Sequence, residues 1–436
     1  MSVIAAPSSL APEATGRDSW LVPRRQAWFA FVMAFLLMTL DFVDRQVVVS
    51  MFPVLKSEWQ LTDKQLGALV SSVSITIAIF SFPIAVLSDR WSRVKSIAVM
   101  AGIWSLATIA CGLTRNYAQL LAARAAIGLG EAGYGAAGGA LLTSMFPASR
   151  RATVVSGFLA AASIGSVLGV VLGGVITARW GWQTAFGIVG IPGLVLAVAF
   201  LWVRDYRTVP LVDRDATRMG ARAAFLSLFR PRSAVAAYFG GALQLVAVST
   251  LLVWLPSFLN RTHGLSVEQA GMRAAIVVLV GSVGVVFWGY VADRRAAADP
   301  RAKMRVPAVA LVIGGLLLSA AFGFVTDAAT QFALVTLGGF MVTAASGSVP
   351  SVAIDVIHPG LRATAAAMVA VVQNLFGLAA GPLIAGALSD AYGLGTALAI
   401  MPLFCLASAA VLLAGARFYP ADLARAEALP AAVEAA

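Results

Sequence analysis

The sequence is poor in charge. Only 12% of its 436 residues are Asp, Glu, Lys or Arg, about half the share of a soluble domain. Its two cysteines, Cys111 and Cys405, both fall in apolar runs, which argues against a disulfide framework or a cysteine metal site. Its two histidines, His263 and His358, form no ligand cluster. No early apolar core precedes Arg25, and residues 1–25 carry Pro, Asp and Glu, so a cleavable signal peptide is not expected. Short alternating strands are also lacking, which excludes an outer-membrane barrel. What is abundant is apolar: 60% of the residues are hydrophobic, in runs long enough for helices of about 20 residues. The chain reads as an all-α, multi-pass membrane protein.

Twelve such runs can be marked, near 27–51, 66–88, 97–114, 118–144, 153–177 and 184–203, then 233–258, 271–292, 306–325, 331–356, 363–388 and 396–417. They divide the chain into a tail (1–26), a six-helix half (27–203), a basic linker (204–232), a second six-helix half (233–417) and a tail (418–436). The halves repeat each other. Leu87-Ser88-Asp89-Arg90 is echoed by Val291-Ala292-Asp293-Arg294, Arg151-Ala152-Thr153 by Arg362-Ala363-Thr364, and Trp180-Gly181 by Tyr392-Gly393. Parallel six-helix halves with a site between them are a transporter plan. The formal charge of +11 sits in the loops, so it speaks of orientation and not of nucleic acid. With twelve spans, Lys56, Lys64, Arg115, Arg179, Arg261 and Arg273 fall on one side. Arg45 and Arg124 lie inside spans, and the other Lys and Arg share the side of the termini. Both termini are therefore expected in the cytoplasm, in a bacterial inner membrane, with the linker touching the inner leaflet.

Full charges inside apolar spans are costly, and they usually face a polar cavity and serve function. Arg124 and Glu131 lie seven residues apart in a glycine-rich run, so on a helix they differ by about 20° and share a face. Within that run, Gly128-Leu129-Gly130-Glu131-Ala132-Gly133 imitates a dinucleotide loop. It lacks the preceding strand that such a loop needs, and its glycines are better read as letting helices approach closely. Span 1 carries Asp41, Asp44 and Arg45. Counted at 1.5 Å per residue, Asp44 lies roughly 26 Å along its helix, at a depth similar to Arg124 on the oppositely running span 4. One cluster is expected, with Glu131 the first proton-carrying candidate and Asp44 and Asp41 beside it. Arg45 or Arg124 would hold Asp44 ionised or bind an anion. A carboxyl able to gain and lose a proton near working pH is what proton coupling requires. The second half offers Gln244, Gln373 and Asn374, with Trp254, Phe258, Trp288 and Phe376 as candidate lining of an apolar half-cavity. Span 5 carries Gly165, Gly169, Gly173 and Gly174, a stripe suited to close helix packing.

The 2–3 loop, Asp89-Arg90-Trp91-Ser92-Arg93, resembles the signature loop of the major facilitator superfamily, and Gly289, Asp293 and Arg294 form a weaker second copy. Ala85, Ser92 and Val94 depart from that signature, and Val170 stands where the superfamily's antiporter motif has proline. These charges suit a latch that forms in one conformation and breaks in the other. A finer resemblance is to the spinster-like branch. It rests on Asp44-Arg45-Gln46, Gly130-Glu131-Ala132-Gly133-Tyr134, Gly190-Ile191-Pro192-Gly193, Trp254-Leu255-Pro256-Ser257-Phe258, Arg261-Thr262-His263-Gly264, and Gly381-Pro382 through Ser389-Asp390. The resemblance implies proton-linked transport of lipid-like or amphipathic molecules. It implies coupling and binding roles for Asp44, Arg45, Arg124 and Glu131, and brings Tyr134 with them.

The expected function is a proton-coupled secondary transporter, monomeric and cofactor-free, moving a small amphipathic or lipid-like compound by alternating access on a proton gradient. An organic-anion:proton symporter for carboxylates is the alternative within transport, and a non-transporting receptor on the same fold the alternative outside it. A wide apolar lobe in the second half would favour the first reading, a small polar pocket the symporter.

Overall fold

The structure is a computed structural model that describes residue 20 and residues 22–204, 225–358 and 361–428, without the side chains of residues 86, 89, 90, 148 and 363. Among these residues every regular element is helical. The first half comprises α1 (Arg24–Trp59), α2 (Asp63–Arg90), α3 (Arg93–Gly112), α4 (Tyr117–Glu131), α5 (Tyr134–Met145), α6 (Ala148–Trp180) and α7 (Trp182–Phe200). The second comprises α8 (Arg232–His263), α9 (Val267–Ala296), α10 (Ala302–Gly323), α11 (Ala328–Val342), α12 (Ala345–Asp355), α13 (Arg362–Gln373), a π-helical turn (Asn374–Leu378), α14 (Ala380–Tyr392), α15 (Leu394–Ile400) and α16 (Leu403–Ala416). A short helix, α17 (Tyr419–Glu427), follows. Eleven helical stretches are long and apolar enough to cross a bilayer. The twelfth span is α4 with α5, of 15 and 12 residues, each too short alone.

The repeat seen in the sequence returns as geometry. The second span of each half opens with a capping box, Thr62 with Gln65 and Ser266 with Gln269, each stabilising its helix start by about 1 kcal/mol. The fifth span of each half ends on a glycine with positive φ, Gly181 at 82° and Gly393 at 85°, a conformation side chains resist. The fourth span of each half is interrupted near its middle, between α4 and α5 and between α11 and α12.

The glycine stripe of α6 seats that helix on α1. A Cβ on Gly169 would lie 2.6 Å from the Val43 carbonyl oxygen, and one on Gly173 would lie 2.7 Å from that of Val47. Gly165 meets Thr39 in the same way. This packing sets the rotation of α1 and therefore where its buried charges point. The two halves meet through α1, α2 and α6 on one side and α8, α9 and the α13–α14 span on the other. The segment expected as a plain tail after residue 417 is partly structured. Asp422 of α17 accepts from the Ser233 backbone N–H (3.0 Å) and hydroxyl (2.7 Å), capping α8, while the Tyr419 hydroxyl donates to Asp355 (3.1 Å).

Candidate functional site

Asp41 and Arg45 stand four residues apart on α1, the spacing at which helix side chains meet, and Arg45 Nε donates to Asp41 Oδ1 at 3.0 Å. The same guanidinium places Nη2 2.9 Å from Glu131 Oε2, at the C-terminal end of α4. One cation therefore serves two carboxylates. The Glu131 contact is a charge contact between guanidinium and carboxylate. The cation beside Glu131 comes from α1 and not from its own glycine-rich run.

The second pair is separate. Arg124 Nη1 lies 3.2 Å from Asp44 Oδ2, and Thr108 of α3 donates its hydroxyl to Asp44 Oδ1 at 3.0 Å. Arg124 also donates toward the carbonyls of Asp44 and Leu69, both at 3.4 Å. Asp41, Asp44, Arg124 and Glu131 are all at most 4% exposed, whereas the Arg45 side chain keeps 23%. Arg45 is thus the cation offered to the cavity, and Arg124 is committed to Asp44. With every group ionised the cluster carries −1, and all of that excess lies in the Asp41–Arg45–Glu131 part.

Arg45 and Arg124 line a cavity of about 150 Å³ together with Phe42, Gln46, Ser74 and Ser249. A second cavity of about 180 Å³ adjoins it, lined mainly by Val248, Leu251, Val277 and Val278 of the second half, with Ser163 and Ser346. Phe42, Ser166 and Leu252 border both. Arg45 also stacks its guanidinium 5.1 Å from the Phe42 ring centroid. A chamber with one accessible cation, Arg45, set among Val70, Val73 and Val253 therefore opens beside a second chamber that no charged side chain lines, both at the interface of the halves. The fold positions this junction by bringing the interrupted span 4 against α1, α2 and α3. Gly128 abuts the Val73 carbonyl (2.5 Å to an added Cβ) and Gly130 the Trp104 backbone (2.6 Å).

The sequence model of the Major Facilitator Superfamily matches residues 34–380. The chain belongs to the major facilitator superfamily. It is similar to an MFS-type efflux pump of Mycolicibacterium smegmatis, 28% identical over 84% of this chain and 85% of that protein. It is also similar to protein spinster homolog 1 of Xenopus laevis, 26% identical over 82% of this chain and 72% of the other. A solved bacterial homolog of the human lysosomal transporter spinster, inward-facing and unoccupied, shares the fold at TM-score 0.83 and 22% identity, covering 92% of this chain and 99% of that one. The protein is a membrane transporter of this superfamily and not an enzyme.

In this transporter several residues expected at the substrate lie elsewhere. Tyr134 is fully buried, donates its hydroxyl to the Ala34 carbonyl at 2.6 Å, and packs edge-on against Trp104 and Phe158. Trp254 donates its indole N–H to the Pro382 carbonyl at 3.2 Å and rests on Phe52. Phe258 is enclosed by Phe322 and His263. Asn374 donates back to the Ala370 carbonyl at 2.9 Å, and Gln373 lies beside Gly241. None of the five borders either cavity. Tyr134, Trp254 and Asn374 have been drawn into helix packing by a backbone carbonyl that accepts from the polar tip, and Phe258 by neighbouring rings. Trp288 packs on Phe287 and Phe340, and Phe376 is half exposed beside Phe239. The residues that the sequence reading missed are Thr108, Phe42, Ser74, Ser166 and Ser249. Single hydroxyls and rings in apolar spans carry no signal until helix rotation is known.

For the expected latch, the side chains of Asp89 and Arg90 lie outside the described residues. Arg93 donates toward the Ser144 hydroxyl at 3.4 Å. Asp293 and Arg294 are exposed, and Arg294 donates to the Tyr290 hydroxyl at 3.2 Å. Among the described residues no ion pair links Asp293 or Arg294 to the first half. His263 is the last residue of α8, with Nε2 2.6 Å from Gln331 Oε1.

Proposed function

We propose that the chain is a proton-coupled secondary transporter of a small amphipathic or lipid-like organic compound, working by alternating access between its halves. The observation that carries this reading is the double engagement of Arg45 with Asp41 and Glu131 at the wall of a chamber whose neighbour is apolar. A polar or anionic head would lie in the Arg45 chamber and an apolar portion would pass Phe42 into the second. The apolar lining supplied by the second half favours this compound class over a small carboxylate, which would leave that chamber without a role.

Coupling follows from charge balance. Arg45 neutralises one of two buried carboxylates, and a proton neutralises the other. An anionic group that recruits Arg45 leaves a carboxylate without its cation in a water-poor site, and that carboxylate is neutralised by a second proton. Anion binding and proton uptake then reinforce each other, which is symport. A cationic head would compete with the proton, which is exchange. On the positive-inside count the termini lie in the cytoplasm of a bacterial cell, with the protein monomeric in its inner membrane.

The test uses proteoliposomes carrying the purified chain and a panel of amphipathic compounds, with and without a pH gradient. Glu131→Gln should abolish gradient-driven accumulation while ligand binding or exchange persists. Wild-type levels of gradient-driven uptake in Glu131→Gln would remove Glu131 from the coupling role.

A further inference from the structure

The charged groups at the end of the bundle remote from the termini form a second cluster, outside the cavities and unused by the coupling site. Asp63 opens α2 and its side chain is 3% exposed. It receives Lys56 of α1 at 2.6 Å and a two-pronged contact from Arg261 of α8, Nη1 to Oδ2 at 2.8 Å and Nη2 to Oδ1 at 2.9 Å. It also receives the Ser389 hydroxyl of α14 at 2.5 Å. One residue further, Asp390 accepts the backbone N–H groups of Asp63 (2.7 Å) and Lys64 (2.8 Å), so a side chain of the second half caps a helix of the first. Arg261 and Ser389-Asp390 belong to the sequence stretches that the coupling site left without a role.

Backbone packing at the same place is equally close. A Cβ on Gly386 of α14 would collide with the Asp63 carbonyl, and one on Gly67 of α2 with the Pro382 carbonyl. The ion pairs that cross between the halves among the described residues, Arg261–Asp63 and Arg179–Glu268, both lie at this end. The four charges of the Asp63 cluster also divide evenly. Lys56 and Asp63 belong to the first half, Arg261 and Asp390 to the second, so each half stays neutral when they part.

We propose that Asp63, Arg261, Ser389 and Asp390 form the lock that holds this end of the transporter closed, and that releasing it is the step that opens this end to its own side of the membrane. The even charge division makes the lock reversible: parting leaves Asp63 with Lys56 and exposes the remaining groups to water, where ions cost little. Gly67 and Gly386 permit the contact that the charges hold. The inference rests on alternating access and not on the identity of substrate or on proton coupling.

The experiment measures distance without substrate or pH gradient. Spin labels are placed on the exposed residues Arg115→Cys and Thr262→Cys, with Cys111 and Cys405 replaced by Ala, and the full chain is reconstituted in nanodiscs. Pulsed dipolar spectroscopy then reads the closed and open populations of this end. Asp63→Asn and Arg261→Gln should each raise the open-to-closed ratio about tenfold or more, the scale on which one charge-assisted contact shifts an equilibrium. Gly386→Val, which leaves every charge in place, should raise it as well. Should Asp63→Asn not yield monodisperse protein, Arg261→Gln carries the test, since Lys56 still neutralises Asp63. Distance distributions in Arg261→Gln and Gly386→Val that coincide with that of the unaltered labelled chain would overturn the lock.

Discussion

Arg45 and Glu131, contributed by α1 and α4, meet at 2.9 Å, and the same guanidinium holds Asp41 at 3.0 Å. Removing that cation strands two carboxylates in a buried site, which costs about 3–5 kcal/mol when one partner of a buried pair is deleted. Arg45→Ala should therefore lower the thermal midpoint of the detergent-solubilised protein by several degrees. The double variant Arg45→Ala/Glu131→Gln should recover part of that loss, because one of the two stranded carboxylates is gone. Equal midpoints in the single and double variants would show that Arg45 and Glu131 are not energetically coupled.

Thr108 gives the Asp44–Arg124 pair its third member. Its hydroxyl donates to a buried carboxylate, a contact worth about 1.5–3 kcal/mol. Thr108→Val should lower thermal stability, while Thr108→Ser, which retains the donor, should restore most of it. In transport assays Thr108→Val should change coupling less than Asp44→Asn does, since Arg124 remains in place. Thr108→Val and Thr108→Ser behaving alike would mean that the hydroxyl contributes little.

The sequence brought Asp44 level with Arg124, leaving Arg45 or Arg124 as its partner, because depth can be counted. Two antiparallel helices at 1.5 Å per residue bring residues 44 and 124 level, and residues inside apolar spans have few other partners. Rotation about the helix axis cannot be counted in this way. It is set here by the glycines of α6 seating α1, and it decides that Arg45 turns to Glu131 while Asp44 turns to Arg124. The same limit misplaced Tyr134, Trp254 and Phe258. Tyr134 and Trp254 satisfy their polar tips on a buried carbonyl as readily as on a ligand, and Phe258 packs on rings; the sequence shows the ring but not the direction. The Asp63 cluster was invisible for a third reason: its partners lie far along the chain, in the other half, and each alone reads as an ordinary loop charge.

Tyr134 offers a direct check of that correction. Its hydroxyl bonds to the Ala34 carbonyl inside the helix packing, so Tyr134→Phe removes one hydrogen bond worth about 1 kcal/mol. The variant should lose a few degrees of thermal stability while its KM for any transported substrate stays within about twofold, against the roughly tenfold rise expected when a substrate contact of 1.4 kcal/mol is lost. A KM rise with stability unchanged would return Tyr134 to the substrate.

The glycines of α6 differ from others in what surrounds them, and that difference predicts a contrast. Gly169 faces the Val43 carbonyl so closely that a methyl group would sit 2.6 Å from it, and 2.8 Å from Gln46 Cβ on the same helix. Backbone cannot yield as a flexible side chain does, so Gly169→Ala must push α6 away from α1, at a cost of about 1–3 kcal/mol for overpacking. Gly139 and Gly187 are also helical, yet an added Cβ there meets nothing within 4 Å. Gly139→Ala and Gly187→Ala should be neutral or stabilise by about 0.5–1 kcal/mol, the helix preference for alanine. Because α1 carries Asp41, Asp44 and Arg45, displacement by Gly169→Ala should also weaken gradient-driven transport, whereas the two open-space variants should retain it. Thermal midpoints and initial uptake rates measured side by side on the three variants decide the matter: uniform behaviour would show that the α1–α6 contact does not position the charged cluster.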